Sequence, residues 1–144
     1  MANTPPTQVP SSSELLADPI VQQAMQQAWL DSEATEPARR HEEGGWIYMD
    51  LASGQIDVRR APAGQRAILN LGNPPLLPNA VLVGTFHTHP NPTADGWDPG
   101  PSIQDQLAAT ATGVPWLIRS DSGDFVTGPD SRRGGLSGGP GYPP

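Results

Sequence analysis

The segment from Val81 to His87 is the most apolar stretch of the chain, and it constrains the fold more than any other feature. Its length and its β-branched content are typical of a strand. Its nearly continuous apolar character predicts a strand that is central in its sheet and buried on both faces. Pro90 follows the segment and ends the strand, because proline has no N–H to donate to the ladder.

Further elements on both sides of this strand predict an α/β domain. Asp18 is a good helix N-cap, Pro19 suits the first helical position, and apolar residues at helical spacing continue to about Ser32. The other expected elements are strands at 46–50, 55–59 and 67–71, a helix from 102 to about 111, and a closing hairpin of 114–119 with 124–127.

Proline and glycine set the expected domain limits. The chain has 18 prolines and 16 glycines in 144 residues, and they cluster at the ends and in two loops. We expect a disordered leader at 1–13, one folded domain at 14–128 and a disordered Gly/Pro-rich tail at 129–144. A domain of this size is too short for a (β/α)₈ barrel, which excludes chemistry that needs one.

Charge and cysteine content exclude several classes of function. The net charge is −7, with 15 acidic residues against eight arginines and no lysine. Such an acidic chain argues against nucleic acid or an anionic membrane as the main partner. Cysteine is absent, so disulfides, thiol nucleophiles and thiolate metal sites are excluded. No apolar run approaches the ~20 residues that cross a bilayer, and the N-terminus does not resemble a secretory signal peptide. We therefore expect a cytoplasmic protein.

Two histidines, His87 and His89, stand at the end of the apolar strand. Alternate residues of a strand point to the same face, so the two imidazoles can converge on one ion. Zinc takes four ligands and accepts histidine nitrogen at about 2.0–2.1 Å. Because cysteine is absent, a carboxylate is the expected third protein ligand.

The next helix start, Ser102-Ile103-Gln104-Asp105, offers such a carboxylate. A purely structural interpretation is also open, in which Ser102 and Asp105 form a capping-box-like N-terminus and the acid interacts with the helix dipole. The combination of His-x-His-Pro, Ser-x-x-Asp and an upstream acid at Glu42 or Glu43 favours a metal site over that interpretation.

This pattern resembles the JAMM metallopeptidases, whose signature is a glutamate, then His-x-His, then Ser-x-x-Asp. The resemblance covers roughly residues 38–128 and extends to the order of helices and strands. Residues 90–101 form a longer connection than the family typically has between the second histidine and the serine. The resemblance implies an α/β fold of the MPN/JAB type, which is a cytidine-deaminase-like, curved mixed β-sheet flanked by helices.

The resemblance also implies a role for each site residue. The ligands of one Zn²⁺ per chain would be His87, His89 and Asp105, with water in the fourth position. Glu42, which has the Glu-x-x-Gly spacing of the family, would be the general base and acid, and Glu43 is the alternative. The hydroxyl of Ser102 would help to stabilise the oxyanion.

The implied activity is that of a zinc metalloprotease that hydrolyses a peptide or isopeptide bond. The expected partner is a protein or peptide substrate, such as a ubiquitin-like protein or a component of a polymorphic-toxin system. The resemblance further implies an extended substrate with small residues next to the scissile bond. A catalytically inactive MPN-type scaffold, or protein-interaction module, is the alternative, since some MPN domains hold no metal.

Overall fold

A computed structural model describes residues 5–137 and contains one five-stranded sheet. The strands are β1 (Gly44–Asp50), β2 (Ile56–Arg60), β3 (Ala80–His89), β4 (Trp116–Ser120) and β5 (Gly123–Thr127). Their order is β2-β1-β3-β4-β5, in which β3 and β4 run parallel and the other neighbours run antiparallel. The fold is therefore a mixed α/β fold, and the apolar strand is central, as predicted.

Three α-helices flank the sheet: α1 (Ser12–Ala17), α2 (Pro19–Asp31) and α3 (Ile103–Thr112). The helix predicted from Asp18 and Pro19 is confirmed, since the Asp18 side chain accepts hydrogen bonds from the backbone N–H groups of Ile20 and Val21. Within residues 5–137, no helix combines the length and the apolar character that crossing a membrane would require.

The two faces of the sheet carry separate cores. The helix-pair face lies under α1 and α2, and its fully buried side chains include Leu15, Met25, Ile47, Phe86 and Leu117. The cleft face lies under α3 and the segment 61–79, and its smaller core contains Trp46, Tyr48, Leu82, Ala109 and Trp116. The candidate site residues lie at one end of the cleft face.

A β-bulge in β3 changes which residues point to each face. Ile47 pairs with Gly84 while Tyr48 pairs with Leu82, so Val83 has no partner on β1. Val83 belongs to the core of the helix-pair face, and a Cβ at Gly84 would also point there, 3.0 Å from Leu15 Cδ1. Because two successive residues face the same side, the alternation of the strand is inverted beyond the bulge.

Three sequence expectations need correction. Residues 67–71 form no strand, because the segment packs Leu69 and Leu71 onto the core of the cleft face instead of pairing with an edge of the sheet. The folded part also extends beyond 14–128. Ser11 caps α1 through a capping box with Glu14, and the N–H of Ser12 donates to the carbonyl of Asp130.

The predicted tail is likewise ordered over residues 129–137. Arg132 is 2% exposed, and its Nη1 donates to the carbonyl oxygens of Gly135 and Ser137 at 2.7 and 2.8 Å. These contacts satisfy backbone groups that an unfolded tail would expose to water. The outer parts of both predicted disordered segments, 1–4 and 138–144, lie outside the described residues.

Candidate metal centre

The bulge in β3 directs the two histidines to the cleft face. Beyond it, Phe86 packs into the core of the helix-pair face, and the hydroxyl of Thr88 hydrogen-bonds that of Ser32 at the end of α2. His87 and His89 therefore point to the opposite side. Without the extra residue, they would share the face of Val81 and Val83 and lie beneath α2.

The metal-binding atoms of three side chains meet at this end of the sheet. His87 Nε2 and His89 Nε2 lie 3.1 Å apart, and each lies 3.1 Å from a carboxylate oxygen of Asp105. Ligands of a tetrahedral zinc site with bonds of about 2.0–2.1 Å lie about 3.3 Å from one another. His87 Nε2 contacts Oδ1 of Asp105 and His89 Nε2 contacts Oδ2, so the two imidazoles and the carboxylate meet at nearly the spacing that one such ion needs. Two imidazoles with a carboxylate are a donor set that zinc accepts.

Protons on the imidazoles cannot satisfy all three contacts. If both Nε2 atoms carry hydrogen, the contact between His87 and His89 brings two donors together. If only one carries hydrogen, the other nitrogen faces the ionised Asp105 with two lone pairs opposed. A cation bound between the two Nε2 atoms and the carboxylate would satisfy all of these groups, so the residues present fit a metal ion.

A second carboxylate, Glu42, stands beside the histidine pair. The metal-binding atoms of Glu42, His87 and His89 lie within 4.8 Å of one another, so these three residues are themselves a candidate metal-binding group. Glu42 is 6% exposed, and its backbone N–H and carbonyl bond residues 65 and 64 of the neighbouring segment. The cluster therefore offers two carboxylates, Asp105 and Glu42, for the positions around an ion.

The adjacent Glu43 points to the other side of β1. Its carboxylate receives a hydrogen bond from Arg60 Nη2 at 2.7 Å and pairs with His41, and Arg60 also pairs with Asp31 of α2. The two glycines that follow, Gly44 and Gly45, are closely packed against neighbouring backbone, and this packing fixes the directions in which Glu42 and Glu43 point. A Cβ at Gly44 would lie 2.3 Å from the carbonyl oxygen of Phe86. Of these two adjacent glutamates, Glu42 is the one that lies beside the histidines.

The capping-box interpretation of the Ser102–Asp105 segment is confirmed. The Ser102 side chain accepts the N–H of Asp105 at 3.0 Å, and the Asp105 carboxylate accepts the N–H of Ser102 at 2.9 Å, which completes a capping box. The same carboxylate also contacts both histidines. Capping thus orients the Asp105 carboxylate, because the helix start fixes the rotamer that presents it to the imidazoles.

Burial and charge shift the titration of the cluster. Burial raises the pKa of Glu42 to about 7, opposed by the charge of His89 and assisted by that of Asp105. Burial also disfavours ionised Asp105, yet hydrogen bonds from His87 and His89 hold its pKa well below the usual range. Burial lowers the pKa of His89, but its contacts with Asp105 and Glu42 outweigh this and raise it. A carboxyl group that titrates near neutral pH can accept and return a proton.

The long loop 91–101 holds the second histidine. The ring of His89 hydrogen-bonds the backbone of Pro99, which is the kind of contact that orients a metal-binding imidazole. Thr93 anchors the loop, since its N–H and hydroxyl both donate to Asp121 at the β4–β5 turn. His87 has no such bond at Nδ1 among the described residues, and its ring packs edge-on against Trp116.

A cleft of about 460 Å³ opens from the cluster. Ala67–Leu69 line one wall, Trp97, Asp98 and Gly100 line the other, and Ser102, Gln104 and Asp105 border it along α3. The sequence pointed to Trp97 as a residue that either covers the cleft or packs on the body, but it did not indicate Ala67–Leu69, because the cleft forms only when segments 61–79 and 91–101 meet across the sheet end. Comparisons of the chain with protein-family models, with curated proteins and with solved structures find no match.

Proposed function

We propose that this chain is a zinc-dependent hydrolase of peptide or isopeptide bonds that works in the manner of the JAMM metallopeptidases. The observation that carries the proposal is the convergence of His87, His89 and Asp105 at the end of an open cleft, where the two Nε2 atoms lie 3.1 Å apart and each lies 3.1 Å from a different oxygen of the Asp105 carboxylate. Glu42 stands within reach of the same point.

The metal ligands in this proposal are His87, His89 and Asp105. When bound, zinc supplies Lewis acidity toward water and toward a carbonyl oxygen. Asp105 is favoured over Glu42 as the third ligand because it contacts both imidazoles directly, whereas Glu42 is placed only within 4.8 Å of them. Glu42 is then not a metal ligand, and its carboxylate is free to accept and donate a proton during the reaction.

The remaining residues act on the proton and on the substrate carbonyl. Glu42 accepts a proton from the attacking water and returns it to the leaving nitrogen, as general base and then general acid. The Oγ of Ser102 accepts the N–H of Asp105 and donates to no other group among the described residues. Its O–H is therefore available for the oxyanion that develops in the cleft.

The proposed partner is a protein or peptide substrate, and a ubiquitin-like protein or a toxin component fits the proposed reaction. A substrate in extended form suits a cleft that opens at the end of a sheet, between two loops. The proposed location is the cytoplasm.

Cleavage of a defined mixture tests the proposal. Zinc-loaded wild type and the Glu42→Gln variant are each incubated with a tryptic peptide library and with a set of lysine isopeptides, and new termini are counted by mass spectrometry. We expect termini that appear with wild type, disappear after chelation, return with zinc and are absent with Glu42→Gln. Zinc-loaded wild type that produces no new termini would support the inactive scaffold instead.

A further inference from the structure

Large apolar side chains line the cleft beside the candidate metal site, which is formed by Glu42, His87, His89 and Asp105. Ile68 is 65% exposed and Trp97 is 43% exposed, and Leu69 between them reaches both the cleft and the core of the cleft face. Exposed groups of this size cost free energy in water unless something covers them. Ile68 and Trp97 come from different loops and face one space.

Both walls of the cleft are fixed relative to the candidate metal site. Arg66 Nε donates to Asn91 Oδ1 at 3.1 Å, and Asn91 Nδ2 donates to the Arg66 carbonyl at 2.9 Å, which ties the two wall segments together. The carbonyl of Gln65 accepts the N–H of Glu42, and the N–H of Gln65 donates to the carbonyl of Ile68. The recess between the walls is therefore preformed and held beside the reacting groups.

The charges around the recess restrict what can enter it. Among residues 5–137, the ionisable residues that line it are Glu42, Asp98, Asp105 and His89, and none of them is an arginine. A bound divalent cation would offset the carboxylates of its own site and leave Asp98 at the wall. An acidic side chain would therefore be repelled, while an uncharged apolar side chain would cover Ile68 and Trp97.

We propose that the recess between Ile68, Leu69 and Trp97 binds a bulky apolar side chain of a peptide substrate and rejects an acidic one. The inference rests on the proposed function in taking the cleft for the substrate site. The volume of about 460 Å³ lies within the about 300–1,000 Å³ range of ligand pockets and leaves room for an aromatic ring beside an extended backbone. Small residues at the scissile bond alone would leave both walls uncovered.

Binding of three synthetic peptides tests the proposal without requiring cleavage. The probes are acetylated pentapeptide amides with two glycines on each side of a central phenylalanine, aspartate or glycine, so that the central side chain can reach the recess in any register. Affinities are measured by NMR titration on the full chain, zinc-loaded and carrying Glu42→Gln to prevent turnover. We expect the phenylalanine peptide to bind at least about tenfold more tightly than the glycine peptide. The aspartate peptide should bind no better than the glycine peptide.

A double variant and a control variant test whether the preference for the phenylalanine peptide arises at the recess. Ile68→Ala combined with Trp97→Ala should remove the advantage of the phenylalanine peptide. Leu30→Ala, which truncates a 59% exposed leucine of α2 on the helix-pair face, should leave it intact. Equal affinities for the phenylalanine and glycine peptides, including no binding of either at millimolar concentration, would overturn the proposal, as would a preference that survives the double variant. Failure of zinc-dependent cleavage alone would count against the proposed function and leave this binding result to stand by itself.

Discussion

The two faces of the sheet differ in how completely they are covered. On the helix-pair face, α1 and α2 close over side chains that are almost all apolar and fully buried. On the cleft face, α3 covers only part of the sheet, and two irregular segments border an open cleft. The two faces therefore differ in role: the helix-pair face stabilises the fold, and the cleft face accommodates a cluster of charged and polar groups.

One extra residue in β3 connects the two faces. Val81 and Val83 contribute to the helix-pair face, and the bulge at Val83 and Gly84 then turns the later odd-numbered residues to the cleft face. A single strand thus carries core residues for one face and the histidines of the candidate metal site for the other.

The largest expected effect separates two neighbouring glutamates. Glu42→Gln should lower kcat by about 10²- to 10⁴-fold, because the proton carrier on the cleft face is lost. Glu43→Gln should leave kcat within a few fold and lower stability by about 1–3 kcal/mol, because a buried carboxylate that bonds Arg60 is replaced. Steady-state kinetics with a cleavable substrate and urea unfolding measure the two effects. A dead Glu43→Gln variant with normal stability would reverse the assignment.

Truncation of apolar side chains should distinguish the faces by stability. Phe86→Ala on the helix-pair face should destabilise the protein by about 3–5 kcal/mol, since the ring is fully buried. Ile68→Ala at the cleft should change stability by less than about 0.5 kcal/mol, since that side chain is 65% exposed. Urea unfolding followed by circular dichroism gives both values. Similar losses for the two variants would contradict the contrast between the faces.

A smaller effect is expected at the bulge itself. A Cβ at Gly84 would lie 3.0 Å from Leu15 Cδ1 and 3.3 Å from the carbonyl oxygen of Pro115, so Gly84→Ala should cost about 1–3 kcal/mol. The strain should also weaken zinc binding, because the bulge sets the direction of both histidines. Val81→Ala, on the same face but before the bulge, is the control that should lose stability and keep zinc affinity. Unchanged zinc affinity in Gly84→Ala would show that the bulge tolerates the methyl group.

Local signals account for what the sequence predicted well. Asp18 and Pro19 fixed the start of α2, Ser102 fixed that of α3, and the apolar run of β3 predicted its central place, since each signal acts within a few residues. The Ser11–Glu14 capping box is an equally local signal, and it was missed when residues 1–13 were predicted to be a disordered leader. The predicted strand at 67–71 was wrong because the local pattern of apolar residues does not show whether a segment pairs with a strand or packs on a face of the sheet.

Part of the candidate site could likewise be predicted from local sequence, and part of it could not. The spacing of His87 and His89 predicts that they share a face, but the register between β1 and β3 decides which face that is. The hydrogen bond from His89 to Pro99 and the tie between Arg66 and Asn91 join segments that are distant in sequence. These contacts exist only once the sheet has brought their loops together.

Zinc content tests the central claim most directly, namely that the cluster on the cleft face is a metal site. Wild type, His87→Ala, Asp105→Asn, Glu42→Gln and Glu43→Gln are dialysed against zinc, washed and analysed for bound metal per chain. The account predicts one zinc for wild type and both glutamate variants, and a sharp loss for His87→Ala and Asp105→Asn. Retention of a full equivalent in His87→Ala and Asp105→Asn would contradict it. Loss in Glu42→Gln with retention in Asp105→Asn would exchange the two carboxylates.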